Sequence, residues 1–501
     1  MEGIKMNISD SRIIQRRLYQ LNDEKHFERF DRFLIKKIVN EKYHKNFEDS
    51  NLPEEELQKY REEAYHVFYK KIKLEKVASR VTIKKWFGLD GYVRPRRMQI
   101  IRLAFALGLN EEELQEYLIK GILQPGIQIN DYREMIFLYG LVNKLSYVEC
   151  INMIEVFETR IYSDTVFEQN THTLRLWNMF RKNYEKPKAE FLSWMCKNAG
   201  FFKGYSKVAL RHFMELKSKI LDYIRENAKE QLFRVLEETD FFEWAEQNGL
   251  PKEVYGKNVT RYIKNVSRRK EKGKLTEELK GMITELNWVA YSSRDKTTDL
   301  LAELYASAVE TDKGTSFTGK RIRYKDREKF NLPEQIFFMT DKYISQIVGV
   351  AQQKEKEIRL SQALGSLKYA DGACPEWIKN LLAEYRYTAF EDAEKTKKLI
   401  ANLLTKQRQR CHLVQREDLL PLIHYVAQKK YERTLQGLNE NYRCKDAKMF
   451  FVQMADMILE ECQMAPISED YQLDYLLLSC YGKNYMYSLA DVIEEAEIRD
   501  C

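Results

Sequence analysis

Apolar residues recur at helical spacing along most of the chain. Phe27, Phe30, Phe33, Leu34 and Ile38 share one stripe, and Leu57, Tyr60, Ala64, Val67 and Phe68 share another after the opening Asn51-Leu52-Pro53. Positions three and four apart lie on one helix face, so each stripe predicts a helix with one side turned inward. Ile13, Ile14, Leu18 and Leu21 predict an earlier one. Between 110 and 160 the helix starts are marked by Asn110 with Glu113 and Ser146 with Glu149. This is the spacing at which two side chains satisfy each other's free backbone N–H groups. Gln124-Pro125-Gly126 breaks the first series, and Asn248-Gly249-Leu250-Pro251 ends the next. A looser stretch follows, with a basic linker at Ser267–Lys274 and an irregular region from Asp312 to Pro333. Short strands are compatible with residues 255–330. Helical spacing resumes beyond Pro333, with breaks near Asp371-Gly372 and Pro466, and no fixed-period repeat supports a solenoid.

The expected fold class is therefore all-α, a multi-helix protein with a large helical C-terminal body. Five divisions are predicted: N-terminal helices at 1–69, a small module with its following helices at 70–160, a helical domain at 161–250, a linker and irregular region at 251–333, and a C-terminal helical domain at 334–501. The 501 residues exceed what one core holds, and 20 Gly and 9 Pro are too few to punctuate a turn-rich fold. Eight cysteines lie at least 18 residues apart, so no zinc knuckle or disulfide framework is legible. A reducing cytoplasm is the expected setting. The N-terminal residues lack the apolar run of a signal peptide and no stretch reaches the length of a membrane span, which predicts a protein neither exported nor membrane-spanning.

Charge changes the picture only through its distribution. The chain carries 83 basic and 76 acidic residues, a net +7. Between Lys70 and Arg102 eleven basic residues face only Glu75 and Asp90, so this window alone holds +9. Such a concentration is either a solvated helix face or a match for a polyanion, most often nucleic-acid phosphate. Within it, Ile83, Trp86 and Phe87 have the spacing of an inward edge, which leaves Val81 and Lys85, flanked by Thr82 and Lys84, on the opposite one. Arg94-Pro95 prepares the next helix, whose Ile100, Leu103, Ala104 and Leu107 form a core stripe. Gly108 falls where a left-handed stop is needed.

The run Ser79, Arg80, Thr82, Ile83 and Trp86, then Gly91 and Pro95, then Ala106-Leu107-Gly108-Leu109 and Asn110-Glu111-Glu112-Glu113-Leu114 resembles the lambda-repressor-like, or Xre-type, helix-turn-helix family. The resemblance spans residues 79–118. It departs from the family in a loop about two residues longer between Trp86 and Pro95, in Lys73 at the usual small position, and in Val77 at the usual turn glycine. The resemblance implies an N-terminal helix-turn-helix-like module in which the helix beginning at Ser79 enters the major groove of double-stranded DNA. Arg80, Thr82, Lys84, Lys85, Arg94, Arg96 and Arg97 are then the nucleic-acid-binding residues, on one continuous cationic ridge. It also implies a bacterial-type, DNA-binding transcriptional regulator whose helical body senses a signal or oligomerises, with a homodimer placing two heads one DNA turn apart. The other readings are a helical protein–protein interaction scaffold with a repurposed head, in which the C-terminal body engages a protein partner, and an enzyme.

No catalytic residue, metal ligand or cofactor is expected. Gly314–Lys320 has the spacing of a phosphate loop, but Arg321 replaces the magnesium-binding hydroxyl and the flanking strand is missing. Arg61 and His66 have the spacing used by HEPN-type ribonucleases, which is also common by chance in charged helices. The seven histidines show no ligand spacing, and Pro466 interrupts the regular series Cys444, Cys462 and Cys480.

Overall fold

The predicted helix starts close as their spacing requires. Asn110 accepts from the Glu113 N–H at 2.9 Å while Glu113 accepts from the Asn110 N–H at 2.8 Å. Ser146 and Glu149 repeat the exchange at 3.2 and 2.8 Å. Gly108 takes φ 66°, the left-handed turn that ends its helix. In this computed structural model residues 27–43, 54–129, 131–161, 173–199, 207–251, 256–266, 275–291, 297–305, 341–367, 370, 372–408 and 412–497 are described. Among them the fold is all-α, with 22 α-helices. The strand-like pairings found in them are the isolated bridges Ala373–Asp392 and Tyr481–Met486. The stripe at 13–21, the phosphate-loop spacing at 314–320 and His172 lie outside the described residues.

The first core is built by α1 (Phe30–Tyr43), α2 (Glu54–Ile72), α3 (Arg80–Trp86), α4 (Arg97–Leu107), α5 (Glu111–Glu116, running into a π turn at Tyr117–Gly121), α6 (Tyr132–Val142), α7 (Tyr147–Ile161), α8 (Thr173–Arg181) and α9 (Lys188–Lys197). Phe30, Phe68, Trp86, Leu118, Phe137, Phe157 and Phe191 meet in it. It crosses the divisions expected at 69/70 and 160/161, because each short helix is apolar on one face and has no partner until the others fold onto it.

The long helix α10 (Lys207–Glu237) serves two cores. Its second half, with Ala228, Leu232 and Leu236, packs on α11 (Phe241–Gln247), α12 (Gly256–Val266) and α13 (Glu277–Tyr291). Its first half, with Ala209, Phe213, Leu216 and Ile220, joins the C-terminal core made by α14 (Thr297–Tyr305), α15 (Asp341–Val348), and α19 to α22 below. A small separate core holds α16 (Val350–Leu367), α17 (Glu376–Glu384) and α18 (Ala393–Arg408). The chain closes with α19 (Arg416–Leu438), α20 (Cys444–Glu461), α21 (Gln472–Ser479) and α22 (Leu489–Glu497). From Arg416 to Gln428 every side chain of α19 except that of Glu417 is buried, as expected for a helix surrounded by others.

The expectation of short strands near 255–330 is corrected where residues are described: α12, α13 and α14 are helices. Val259, Tyr262 and Val266 form a buried stripe on α12 that the dense charge around it conceals in a linear reading.

Candidate nucleic-acid interface

The turn between α2 and α3 is set by one strained residue. Lys76 holds φ 47°, a left-handed backbone that a side chain disfavours, so the turn falls one residue before Val77. Val77 instead points inward and is buried. Ser79 then caps α3, accepting from the Thr82 N–H at 3.1 Å and sharing its hydroxyl with that of Thr82 at 2.7 Å. Ile83 and Trp86 point inward together with Phe87, the residue after the helix. Edge-on rings brace this edge: Phe30 of α1 against Trp86, with centroids 6.2 Å apart, and Phe68 of α2 against Phe87, 5.2 Å apart. α3 is thus a short helix held on its apolar side, with Val81, 61% exposed, on its outer edge.

The outer residues differ in their ties. Arg80 donates to the Tyr65 hydroxyl at 3.3 Å and lies over the Tyr69 ring, so it is laid back along α2. Lys84 reaches Asp90 at 3.2 Å on the surface. Lys85 is half-buried and Arg96 exposed, and neither has an ion-pair partner among the described residues. Beside α3, a cleft of about 430 Å³ is lined by Tyr69, Ile72, Lys73, Lys76, Ser79 and Ile83, among others. Lys73 and Lys76 beside it are exposed, and so is Leu74, at 81%.

The continuous cationic ridge from α3 to α4 does not form, and two residues expected on it are corrected. Arg97 turns inward. It makes a two-pronged pair with Glu134 at 2.6 and 2.7 Å and donates to the carbonyls of Pro125 and Gly126 at 2.5 and 2.6 Å. Burial pulls the Arg97 guanidinium down, but Glu134, with Glu417 and Asp131 adding, holds it above its ordinary value. Burial and the Glu134 charge push the neighbouring Asp131 carboxyl up to about 6. All three nitrogens of Arg97 are spent inside the protein, because a planar guanidinium fits a carboxylate and two carbonyls at once. Arg94 is directed at the C-terminal body, where it donates to Gln472 of α21 at 3.2 Å. Phe27 follows the same direction, edge-on to Tyr475 with centroids 5.4 Å apart. Proximity of Arg94 and Arg97 to Arg96 in sequence carried no information about this docking.

The longer loop after Trp86 is accommodated by left-handed residues at Gly88, Asp90 and Gly91. At Gly88 a side chain could not fit, since a Cβ would lie 2.8 Å from the Asp31 carboxylate. Asp31 is fully buried, paired to Arg29 at 3.0 Å and to Arg61 at 3.6 Å. Arg61 is therefore drawn into this cluster while His66 is exposed on the same helix, so the two do not converge. His412 bonds Asp418 at 3.2 Å, and the Cys444 thiol points to the Tyr481 carbonyl at 3.3 Å. Among the described residues no group of three or more His, Cys, Asp or Glu could hold a metal ion, and no helix is long and apolar enough to cross a membrane. Among known proteins, no family model, no curated protein and no solved structure matches this chain.

Proposed function

We propose that the protein is a DNA-binding transcriptional regulator in which α2, the turn at Lys76 and α3 form a helix-turn-helix head. The observation that carries the reading is the two-sidedness of α3. Its apolar edge is locked by Phe30, Tyr65 and Phe68, and its outer side carries Thr82, Lys84 and Lys85, with the exposed Arg80 lying beside them against Tyr65 and Tyr69. A braced short helix of this kind is what lets a few side chains meet base edges and phosphates without first paying for order. Arg96 extends the contact surface, whereas Arg94 and Arg97 do not belong to it. The large helical body then serves sensing or oligomerisation, and a homodimer would set two heads on successive half-sites.

The test is a titration of the full chain against a mixed-sequence duplex. With Arg80, Lys84, Lys85 and Arg96 each neutralising a phosphate, affinity falls about 150-fold between roughly 50 and 200 mM salt. Binding insensitive to salt, or unaffected when Lys85 and Arg96 are both replaced by Ala, would defeat it. Leu74 and Val81, large apolar side chains left exposed among the cations, favour a second reading in which the head docks a protein. In that case Val81→Asp abolishes partner binding, and Lys85→Ala has little effect.

A further inference from the structure

A second cationic surface lies far along the chain from the head, on α12. Three of its residues, Lys257, Arg261 and Lys264, are exposed and fall at i, i+4 and i+7, one face of a helix. At 1.5 Å per residue they span about 10 Å. The opposite face is occupied: Val259, Tyr262 and Val266 are 0%, 1% and 6% exposed in the core shared with α10, α11 and α13. Tyr262 packs edge-on to Phe241, with centroids 5.4 Å apart, and Asn287 of α13 donates to the Gly256 carbonyl at 3.2 Å. The helix is thus fixed in rotation with its cations outward.

Fold stability does not account for these charges. Some lysines of other helices are matched within their own helix, as half-buried Lys280 is by Glu277, Lys397 by Glu394 and Lys429 by Glu432. α12 contains no acidic residue at all, and none of its three cations has an ion-pair partner among the described residues. Like charges three and four apart repel, and Lys257 sits in the first turn, where the helix dipole already opposes a cation. Lys264, in the last turn, is the one the dipole favours. The sequence compounds the charge: from Lys257 to Lys274 there are eight basic residues against Glu271 alone, a net +7 in 18 residues, equal to that of the whole chain.

We infer that the exposed face of α12 is a nucleic-acid-binding site, in which Lys257, Arg261 and Lys264 hold the sugar–phosphate backbone without reading bases. Phosphate is the ligand because the face offers three cationic donors with no carboxylate of its own helix among them, and repeats them along a line, as a strand repeats its phosphates. A bilayer fits less well: a membrane-surface helix inserts its apolar side, and here that side is inside the protein. The site is independent of α3, and its test is arranged so that the two readings fail separately.

The full chain, the variant Lys257→Ala/Arg261→Ala/Lys264→Ala, the head variant Lys85→Ala/Arg96→Ala and their combination are titrated by fluorescence anisotropy. The probes are a mixed-sequence DNA duplex and a single-stranded RNA, at about 50 and 200 mM salt. Loss of three phosphate contacts flattens the logarithmic salt slope by about 2.7 on duplex DNA and about 2.1 on the single strand, so the affinity lost on raising salt shrinks by roughly 40-fold and 20-fold. The larger change identifies the preferred strand form. The flattening recurs in the head-variant background, and restoring charge with Lys257→Arg and Lys264→Arg, Arg261 being intact, restores the slope. All three positions are exposed and their charges repel, so the thermal melt is not lowered. An unaltered slope on both probes in both backgrounds overturns the inference. So does loss of binding to phosphatidylcholine vesicles containing phosphatidylserine with nucleic-acid binding intact. If only the α12 variant changes binding, the helix-turn-helix reading falls and this one stands.

Discussion

Arg96 and Arg97 are neighbours in sequence with opposite uses. Arg96 is the extended N-cap residue just before α4, with an exposed side chain and its backbone N–H held by Gln99 at 2.8 Å. Arg97 places its guanidinium in a pocket made by Glu134 and two carbonyls. The chain passes from extended backbone at Arg96 to helix at Arg97, and that one step moves the side chain from solvent to the interior. A basic run is therefore a list of candidates for a surface, and the packing of the helix decides which members stay on it. The same division separates α12, whose cations all fall on the outer face, from the 94–97 stretch, where two of three arginines are drawn in.

The comparison breaks most sharply on stability. Arg97→Ala leaves Glu134 buried without its partner and costs about 3–5 kcal/mol, read as a lower midpoint in urea. Arg96→Ala changes stability by less than about 0.5 kcal/mol. Equal effects of the two would refute the assignment of inside and outside.

A third fate for an ionisable group is to be kept neutral. His424 is 1% exposed, between Phe451 and Tyr481, and burial lowers its pKa to about 3. Its folded pKa lies below the unfolded value near 6.5, so the unfolded chain takes up the proton first and stability drops as pH falls below that value. From pH 6.5 to 5 the loss attributable to this group is about 2 kcal/mol. Thermal melts should show it, and His424→Leu should flatten that part of the profile. A variant as acid-sensitive as the parent would show that other groups carry the effect.

Smaller effects sharpen the view of the head. Ser79→Ala removes the acceptor for the Thr82 N–H and costs about 1 kcal/mol, measurable in denaturant midpoints. Lys85→Ala leaves stability within about 0.5 kcal/mol and, if the head binds DNA, flattens the salt slope by about 0.9.

Much of the local structure was legible because its causes are local. The capping pairs at Asn110 and Ser146, the stop at Gly108 and the inward edge of Ile83, Trp86 and Phe87 each depend on residues within one or two turns. The Lys76 turn was misplaced by one residue, since a lysine gives no sign of a left-handed backbone. Arg97 was misread because its carboxylate lies 37 residues on and the carbonyls it binds belong to a loop. Arg94 was misread for a stronger reason, as its partner Gln472 is 378 residues away. The α12 face was hidden because its stripe of Val259, Tyr262 and Val266 is short and set in a run of charge.

Sequence alone determined that this chain is a string of helices, where several of them begin and end, and which edge of α3 is apolar. These follow from side-chain spacing and from hydrogen bonds closed within a single turn, which any window of the chain contains. Only the tertiary structure decided that helices α1 to α9 share one core, that α10 joins two others, and which cations remain in water. A charge is inside or outside according to what packs against its helix, and that partner comes from parts of the chain no local pattern can specify.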